Sequence, residues 1–356
     1  MKIGFLFPYS GVFPDLKEDF RQGFELALAA NDRPTYLEEF IQNGDQKSVD
    51  DALKKLVHFE RVDLVAGIVG NLVTANCIPL VEKAQAPMLV NNLGAHFPGR
   101  QLSSPFLFYN SLHLWKSEWS MGKWAQATYG GVPAISLSLY EAGYHLHECF
   151  KNGTGASGAE QLTLNIMRRE EGAADPKPLV TYLEEQRPRH THLLVSGPEA
   201  IRFMEYLDAS PVKGEVALTS HPFLNADVRY ACTWAPNLDT PENRLFTQHY
   251  AETYKTPPNA YTLLGYESGL GVAAALDAID GKPTRARLTE ALGSVRPNGP
   301  RGPIALSTRP LRAEQPVYLC RGDKTLEVLP AITVEDPVFE PLQDIAAGWL
   351  NPYLCV

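Results

Sequence analysis

Four uncharged polar side chains stand where two apolar runs break. Residues 64–69 (LVAGIV) run into Gly70, Asn71 and, three residues on, Thr74; residues 88–90, restarted by Pro87, run into Asn91, Asn92, Leu93 and Gly94. Amides and hydroxyls of this kind do binding chemistry, donating to a carboxylate or amide oxygen. No Arg or Lys stands in residues 10–13, 70–74 or 91–95, so phosphate and dicarboxylate ligands are poorly served there. Phe13, Tyr109, Trp115, Tyr144, Trp234 and Tyr266 could wall an apolar or planar body. Other readings stay open. Asn71 and Asn92 also suit tight turns, plain packing suits Tyr109, Trp115, Tyr140, Tyr144 and Trp234, and Glu141 suits a helix-start charge.

Catalysis has less to stand on. The sequence contains no GxSxG, GxxxxGK[ST], HExxH or CxxC, and it offers no nucleophile–base pair. Residues 153–158 (GTGASG) match GxGxxG literally, but they follow a helix where a dinucleotide loop would follow a strand, so they read as a loop. His145, Glu148 and Cys149 share one helix face without a second cluster to complete a metal site. His190 and His192 alternate along the start of a strand as surface or edge residues. No cofactor is expected, and no metal.

Composition narrows the classes further. With 356 residues the chain suits two domains, and its 44% hydrophobic and 21% charged content is globular. A net charge of −9 argues against nucleic acid as a partner. There is no apolar run long enough to span a membrane. Met1 leads straight into a strand without a secretory leader, which fits either a cytosolic protein or an exported one whose leader has been trimmed. The five cysteines are odd in number and scattered, as buried free thiols are; Cys320 with Cys355 is the first pair to check for a disulfide.

The elements that must position these residues follow from periodicity. Strands are expected at 3–7, 36–40, 64–69, 88–90 and 106–110, with helices at about 16–31, 52–60, 74–83 and 114–129. Residues 48–51 look like the cap of the second helix. A second series has strands at 134–139, 163–168, 192–196 and 215–219 and helices up to about 151, at 178–186 and at 199–209. Helices at 241–254, 260–280 and 285–292 follow, the second rich in small residues around Gly265, Gly269 and Gly271. Strands at 302–306, 317–320 and 325–328 end the series, the last two forming a hairpin. A strand–helix–strand crossover places successive parallel strands with their carboxyl ends on one edge, where open α/β sheets bind ligands. Two such series imply an α/β fold of two lobes with a cleft between those edges.

Several stretches resemble one family. Ser10–Gly11 after the first strand, DLVAGIVGN, IPLVEKAQAPMLV, AYTLLGYESG and PRGPIAL, in that order, are similar to the type I periplasmic binding proteins of the leucine/isoleucine/valine-receptor kind. The resemblance runs from Lys2 to about Cys320. It implies two Rossmann-like lobes joined by three crossings near residues 112, 234 and 307, with lobe 1 at 1–112 and 235–307 and lobe 2 at 113–234 and 308–356. It further implies an extracellular or periplasmic solute receptor of an ABC importer, with a membrane permease as partner. The family's carboxylate-holding positions fall on Asn71, Asn92 and Gly94, beside Ser10. Its pocket tyrosine falls on Tyr144, with Tyr140 and Glu141 close by. Its acid for a ligand's amino group falls near His221, where no acid stands, leaving Glu141 and Glu267 for that role. The ligand so implied is a small hydrophobic or aromatic amino acid or monocarboxylate. The alternative is a sensory module of the same fold.

Overall fold

The computed structural model describes residues 1–356 except 29–33, 100–101, 168, 171–172, 225, 307–314, 331–339, 341–347 and 356. The first series comprises β1 (Lys2–Phe7), α1 (Leu16–Ala27), β2 (Thr35–Phe40), α2 (Gln46–Lys54), β3 (Leu64–Ile68), α3 (Asn71–Ala84), β4 (Met88–Asn92) and β5 (Leu107–Ser111). Its five strands form one parallel sheet in the order β2-β1-β3-β4-β5. β3, β4 and β5 are buried throughout, as continuous apolar runs covered on both faces should be. β2 takes the edge with charged Glu38 and Glu39, paired to Lys17 and Lys55.

The second series comprises α4 (Leu114–Tyr129), β6 (Ala134–Ser138), α5 (Leu146–Ala156), β7 (Thr163–Met167), the short ladder of β8 (Arg169–Glu170) with β9 (Ala173–Ala174), α6 (Lys177–Gln186), β10 (His190–Leu194), α7 (Gly197–Ala209), β11 (Ala217–Ser220) and β12 (Arg229–Cys232). Three helices follow: α8 (Pro241–Tyr254), α9 (Ala260–Asp277) and α10 (Arg285–Ser294). The chain then makes the two-residue ladder of β13 (Asn298–Gly299) with β14 (Gly302–Pro303) and the hairpin of β15 (Val317–Arg321) with β16 (Lys324–Leu329). The second sheet has the order β16-β15-β12-β11-β10-β6-β7 and is parallel from β12 to β7. β15 and β16 add antiparallel at one edge. The chain therefore leaves the first sheet after Ser111, returns after Cys232 to pack α9 against α1, β4 and β5, and goes back to add β15 and β16 to the second sheet.

Local chemistry explains the boundaries. Asp45 caps α2 by accepting from the Ser48 amide, so that helix starts at Gln46 and not after a cap at 48–51. Asn259 and Thr262 form a reciprocal capping box on α9. Of the strand expected at 302–306, only Gly302–Pro303 pairs, in the ladder whose turn carries Arg301. The GxGxxG stretch enters α5, where Gly153 lets that helix lie against α4: a Cβ there would stand 2.0 Å from the Trp119 carbonyl oxygen. His190 and His192 are fully buried rather than at an edge, because β10 is an inner strand covered on both faces. His190 pairs with Gln126 at 3.1 Å and His192 with Glu118 at 2.6 Å. Cys320 lies beside Cys232 on the neighbouring strand, Sγ to Sγ 3.6 Å, while Cys355 packs against the Tyr261 hydroxyl. One apolar core runs through both lobes, from Phe5 and Phe20 under the first sheet to Ile135 and Phe150 under the second.

Candidate functional site

Helices that follow parallel strands point their amino ends at the sheet's carboxyl edge. In this chain the two edges face each other and the lobes touch. The His145 amide donates to the Ala95 carbonyl (3.2 Å), and the Phe97 amide donates to His145 Nδ1 (3.1 Å). Residues 349–355 of the chain itself run in between the edges, with Trp349 and Leu350 still exposed and residues 352–355 buried.

The first lobe meets this segment with Ser10, Gly70, His96 and Tyr261. The Ser10 hydroxyl donates to the Leu354 carbonyl and accepts from the Phe13 amide (2.8 Å). His96 Nε2 lies 2.9 Å from the Trp349 carbonyl oxygen, and the Tyr261 hydroxyl donates to the Tyr353 carbonyl at 3.4 Å. Gly70, just before α3, lies so close that a Cβ there would sit 2.7 Å from the Leu350 carbonyl oxygen. That oxygen thus lies against the amino end of α3, a place suited to an anionic or carbonyl oxygen.

The second lobe contributes Tyr140, Glu141 and Tyr144 after β6, Ser196 after β10, and His221 and Phe223 after β11. The Tyr140 hydroxyl accepts from the Leu354 amide (2.8 Å) and pairs with the Tyr144 hydroxyl (2.9 Å), which reaches the Asn351 carbonyl at 3.4 Å. Tyr353 is the centre of the arrangement. Its ring lies parallel to Tyr140 (centroids 6.2 Å apart, 11°) and edge-on to Tyr144 (4.9 Å), with His221 and Phe223 at 6.2 and 6.4 Å. Its hydroxyl donates to Glu141 Oε1 at 3.0 Å, which also accepts from the Ser196 hydroxyl at 2.6 Å. Glu141 is fully buried, and its Oε2 has no hydrogen-bond partner among the described residues. Desolvation raises its carboxyl to about 7, against the lowering effect of the two hydroxyl donors. His221 is held neutral: it lies 2.9 Å from the Val195 carbonyl through Nε2 and accepts the Phe223 amide at Nδ1, and burial pushes it down to about 4.

Other residues expected at the site lie behind it. Asn71 donates to the His96 carbonyl (3.2 Å) and accepts from Asn92 (2.8 Å). Asn92 also donates to Val69 and accepts from Ser111, so the pair fixes the loops that carry the cleft residues. The Thr74 hydroxyl bonds the Gly70 carbonyl one helical turn back. Asn91 accepts from Ser268 (2.7 Å), tying β4 to α9. Gly94 has φ +76° in a turn where a Cβ would lie 2.7 Å from His113. Tyr109 faces the core on the α3 side of the sheet with Cys77 and Val81. Trp115 is buried against Phe97 at the start of α4. Tyr266 packs on Phe246.

Glu267 is engaged by Arg301, a residue the sequence reading passed over. Arg301 Nε and Nη2 meet the Glu267 carboxylate, with Nε–Oε1 at 3.0 Å, while the same guanidinium reaches the Ser111 carbonyl (2.9 Å), Asn110 Oδ1 (2.9 Å) and Thr233 Oγ1 (3.3 Å). It thereby binds two of the chain's crossings to α9. Trp234, on the second crossing, bonds Asn243 through its indole N–H and lines an apolar cavity of about 240 Å³ with Phe13, Leu112, Phe223, Cys232 and Pro258. His96, Ser196 and Tyr353 were also not foreseen. The one sequence signal for Tyr353 is the mostly apolar stretch WLNPYLC at residues 349–355, beyond the last strand.

Comparisons place this architecture among known proteins. A family model described as "Periplasmic binding protein" matches residues 1–326. Leu/Ile/Val-binding protein homolog 6 of Brucella melitensis is 22% identical over 342 residues, covering 90% of this chain and 86% of that one. A solute-binding protein of an ABC transporter from R. palustris, solved in complex with benzoate, is similar with a TM-score of 0.77 at 22% identity, over 94% of this chain and 98% of its own. The leucine binding protein LivK from Thermotoga maritima gives a TM-score of 0.71 at 16% identity, over 94% and 99%.

Proposed function

Because this chain belongs to the periplasmic binding protein family, we propose that it is the solute receptor of an ABC importer, holding a small hydrophobic or aromatic amino acid or monocarboxylate between its lobes. On this reading it works outside the cytoplasmic membrane and presents its closed form to a permease. Its task is binding, not catalysis.

The observation that carries the ligand class is Glu141, buried among Tyr140, Tyr144, His221 and Phe223 with one oxygen unpaired among the described residues. A buried carboxyl in that state favours a ligand that brings a donor, whether an amino group or a phenolic hydroxyl. The rings around it favour a planar or apolar body. Across the cleft, the Ser10 hydroxyl and the amide groups opening α3 suit the ligand's carboxylate.

A thermal-shift panel of hydrophobic amino acids, aromatic acids, sugars and phosphate esters tests the proposal. A true ligand at about 100 times its Kd stabilises the fold by roughly 2.7 kcal/mol. Glu141→Gln should weaken a donor-bearing ligand about tenfold or more, the cost of one hydrogen bond to a charged group. Tight binding of a sugar or phosphate ester, with no response to any hydrophobic amino acid or carboxylate, overturns the proposal.

A further inference from the structure

We propose that residues 349–355 are a ligand the chain carries for its own cleft, and that a solute enters only by displacing them. The displacement half rests on the function proposed above; the occupancy half does not.

The contacts are those of a bound peptide. Trp349 donates its amide to the Gly143 carbonyl and its indole N–H to the Tyr140 carbonyl, both at 2.9 Å, and its own carbonyl meets His96. The Asn351, Tyr353 and Leu354 carbonyls accept from Tyr144, Tyr261 and Ser10, and the Leu354 amide donates to Tyr140. Six backbone groups of a seven-residue stretch are thus taken up by both lobes.

Shape agrees with the hydrogen bonds. A Cβ on Gly143 would lie 1.8 Å from the Trp349 ring, so the loop after β6 has room for that indole only because it carries no side chain. Leu354 has φ +65°, a conformation costly for a leucine, and it is held there from both sides by Ser10 and Tyr140. Leu354 and Cys355 are fully buried, and Tyr353 places an aromatic ring and a hydroxyl on Glu141. The tail therefore occupies the seat on which the proposed solute depends: its Leu350 carbonyl oxygen lies at the amino end of α3, and its Tyr353 ring fills the aromatic cage.

Tethering makes such a competitor strong. A segment joined to its site acts at an effective concentration of the order of millimolar. If the free segment binds at roughly 10 μM, a solute sharing the seat appears about 100-fold weaker in the full chain than in one lacking the tail.

The experiment uses the full chain, a chain ending at Gly348, and the full-length Tyr353→Ala variant. The probes are a synthetic peptide of residues 349–356, 4-hydroxybenzoate, and alkylation of Cys355 mapped by mass spectrometry. The peptide should bind the shortened chain one-to-one and bind the full chain at least 100-fold more weakly. Cys355 should be shielded in the full chain and alkylate at least tenfold faster in Tyr353→Ala, a readout that stands even if the shortened chain fails to fold. Equal peptide binding by both chains, or Cys355 labelled in the native full chain as fast as in urea, overturns occupancy. 4-Hydroxybenzoate that binds both chains equally, without speeding Cys355 alkylation, overturns displacement. Failure of 4-hydroxybenzoate and of the whole solute panel on both chains, with the peptide still bound, overturns displacement and the proposed function while leaving occupancy standing.

Discussion

Glu141 concentrates the chemistry of the cleft, and its protonation gives a measurable consequence. Its carboxyl stands at about 7 in the folded chain against an ordinary 4.5, with Glu118, Glu199, Tyr140, Tyr144 and Tyr353 as its titratable neighbours. The unfolded chain releases this proton first. Glu141 therefore stabilises the fold fully below about pH 4.5, and that contribution is lost as pH rises through about 7. His96, His190 and His221, pushed down to about 3, 4 and 4, work in the opposite sense, losing stability as pH falls below 6.5. Because both proteins share the histidines, the stability difference between wild type and Glu141→Gln isolates the glutamate. Urea titrations across pH 4.5 to 7 should show the wild type losing about 3 kcal/mol relative to the variant. A flat difference would mean that Glu141 ionises as it does in water. Ligands bearing an amino group should also bind more tightly above pH 7 than at pH 6, whereas a carboxylate without one should not.

At the scale of elements, two features set the geometry. α1 and α9 approach through Gly265, where a Cβ would fall 2.0 Å from the Phe20 carbonyl oxygen. Gly265→Ala should cost about 1–3 kcal/mol despite alanine's better helix propensity, read as a lower urea midpoint with unchanged slope. The second feature is the buried Arg301–Glu267 pair spanning the crossings. Arg301→Met should cost about 3–5 kcal/mol by stranding Glu267, and adding Glu267→Leu should restore most of that loss. A double variant no better than the single one would show that the contacts of Arg301 to Asn110, Ser111 and Thr233 matter more than the ion pair. Most elements were legible in the sequence, because buried runs such as 64–69 and 88–90 and the small-residue pattern of 260–280 are local signals. Arg301 was hidden in PRGPIAL, a stretch that reads as a strand yet forms a two-residue ladder with the arginine in its turn. His190 and His192 looked like edge residues because their partners, Gln126 and Glu118, sit on a distant helix.

The whole molecule shows why the site was harder to read than the fold. Periodicity located the sheet edges, and the family resemblance, not periodicity, pointed to Ser10, Tyr140, Glu141, Tyr144 and His221 at strand ends. Periodicity cannot say which face of a strand end looks into the cleft, so Asn91, Tyr109 and Tyr266, which pack behind it, looked equally eligible. Nor does any local signal in WLNPYLC say that it lies between two lobes a long way back along the chain. Hinged lobes close by small backbone changes at their crossings, so a tight solute added to the chain ending at Gly348 should lower its radius of gyration in solution scattering. An unchanged curve would argue against closure. The most direct test of the central claim is amide hydrogen exchange on the chain ending at Gly348 with and without the tightest solute from the panel. The solute should slow exchange in both lobes together, in residues 10–13, 70–73 and 94–97 of the first and in 140–145, 196–199 and 221–223 of the second. Protection confined to one lobe, or to the cavity lined by residues 232–236 and 258–260, would contradict the claim that this chain holds its ligand between the two sheet edges.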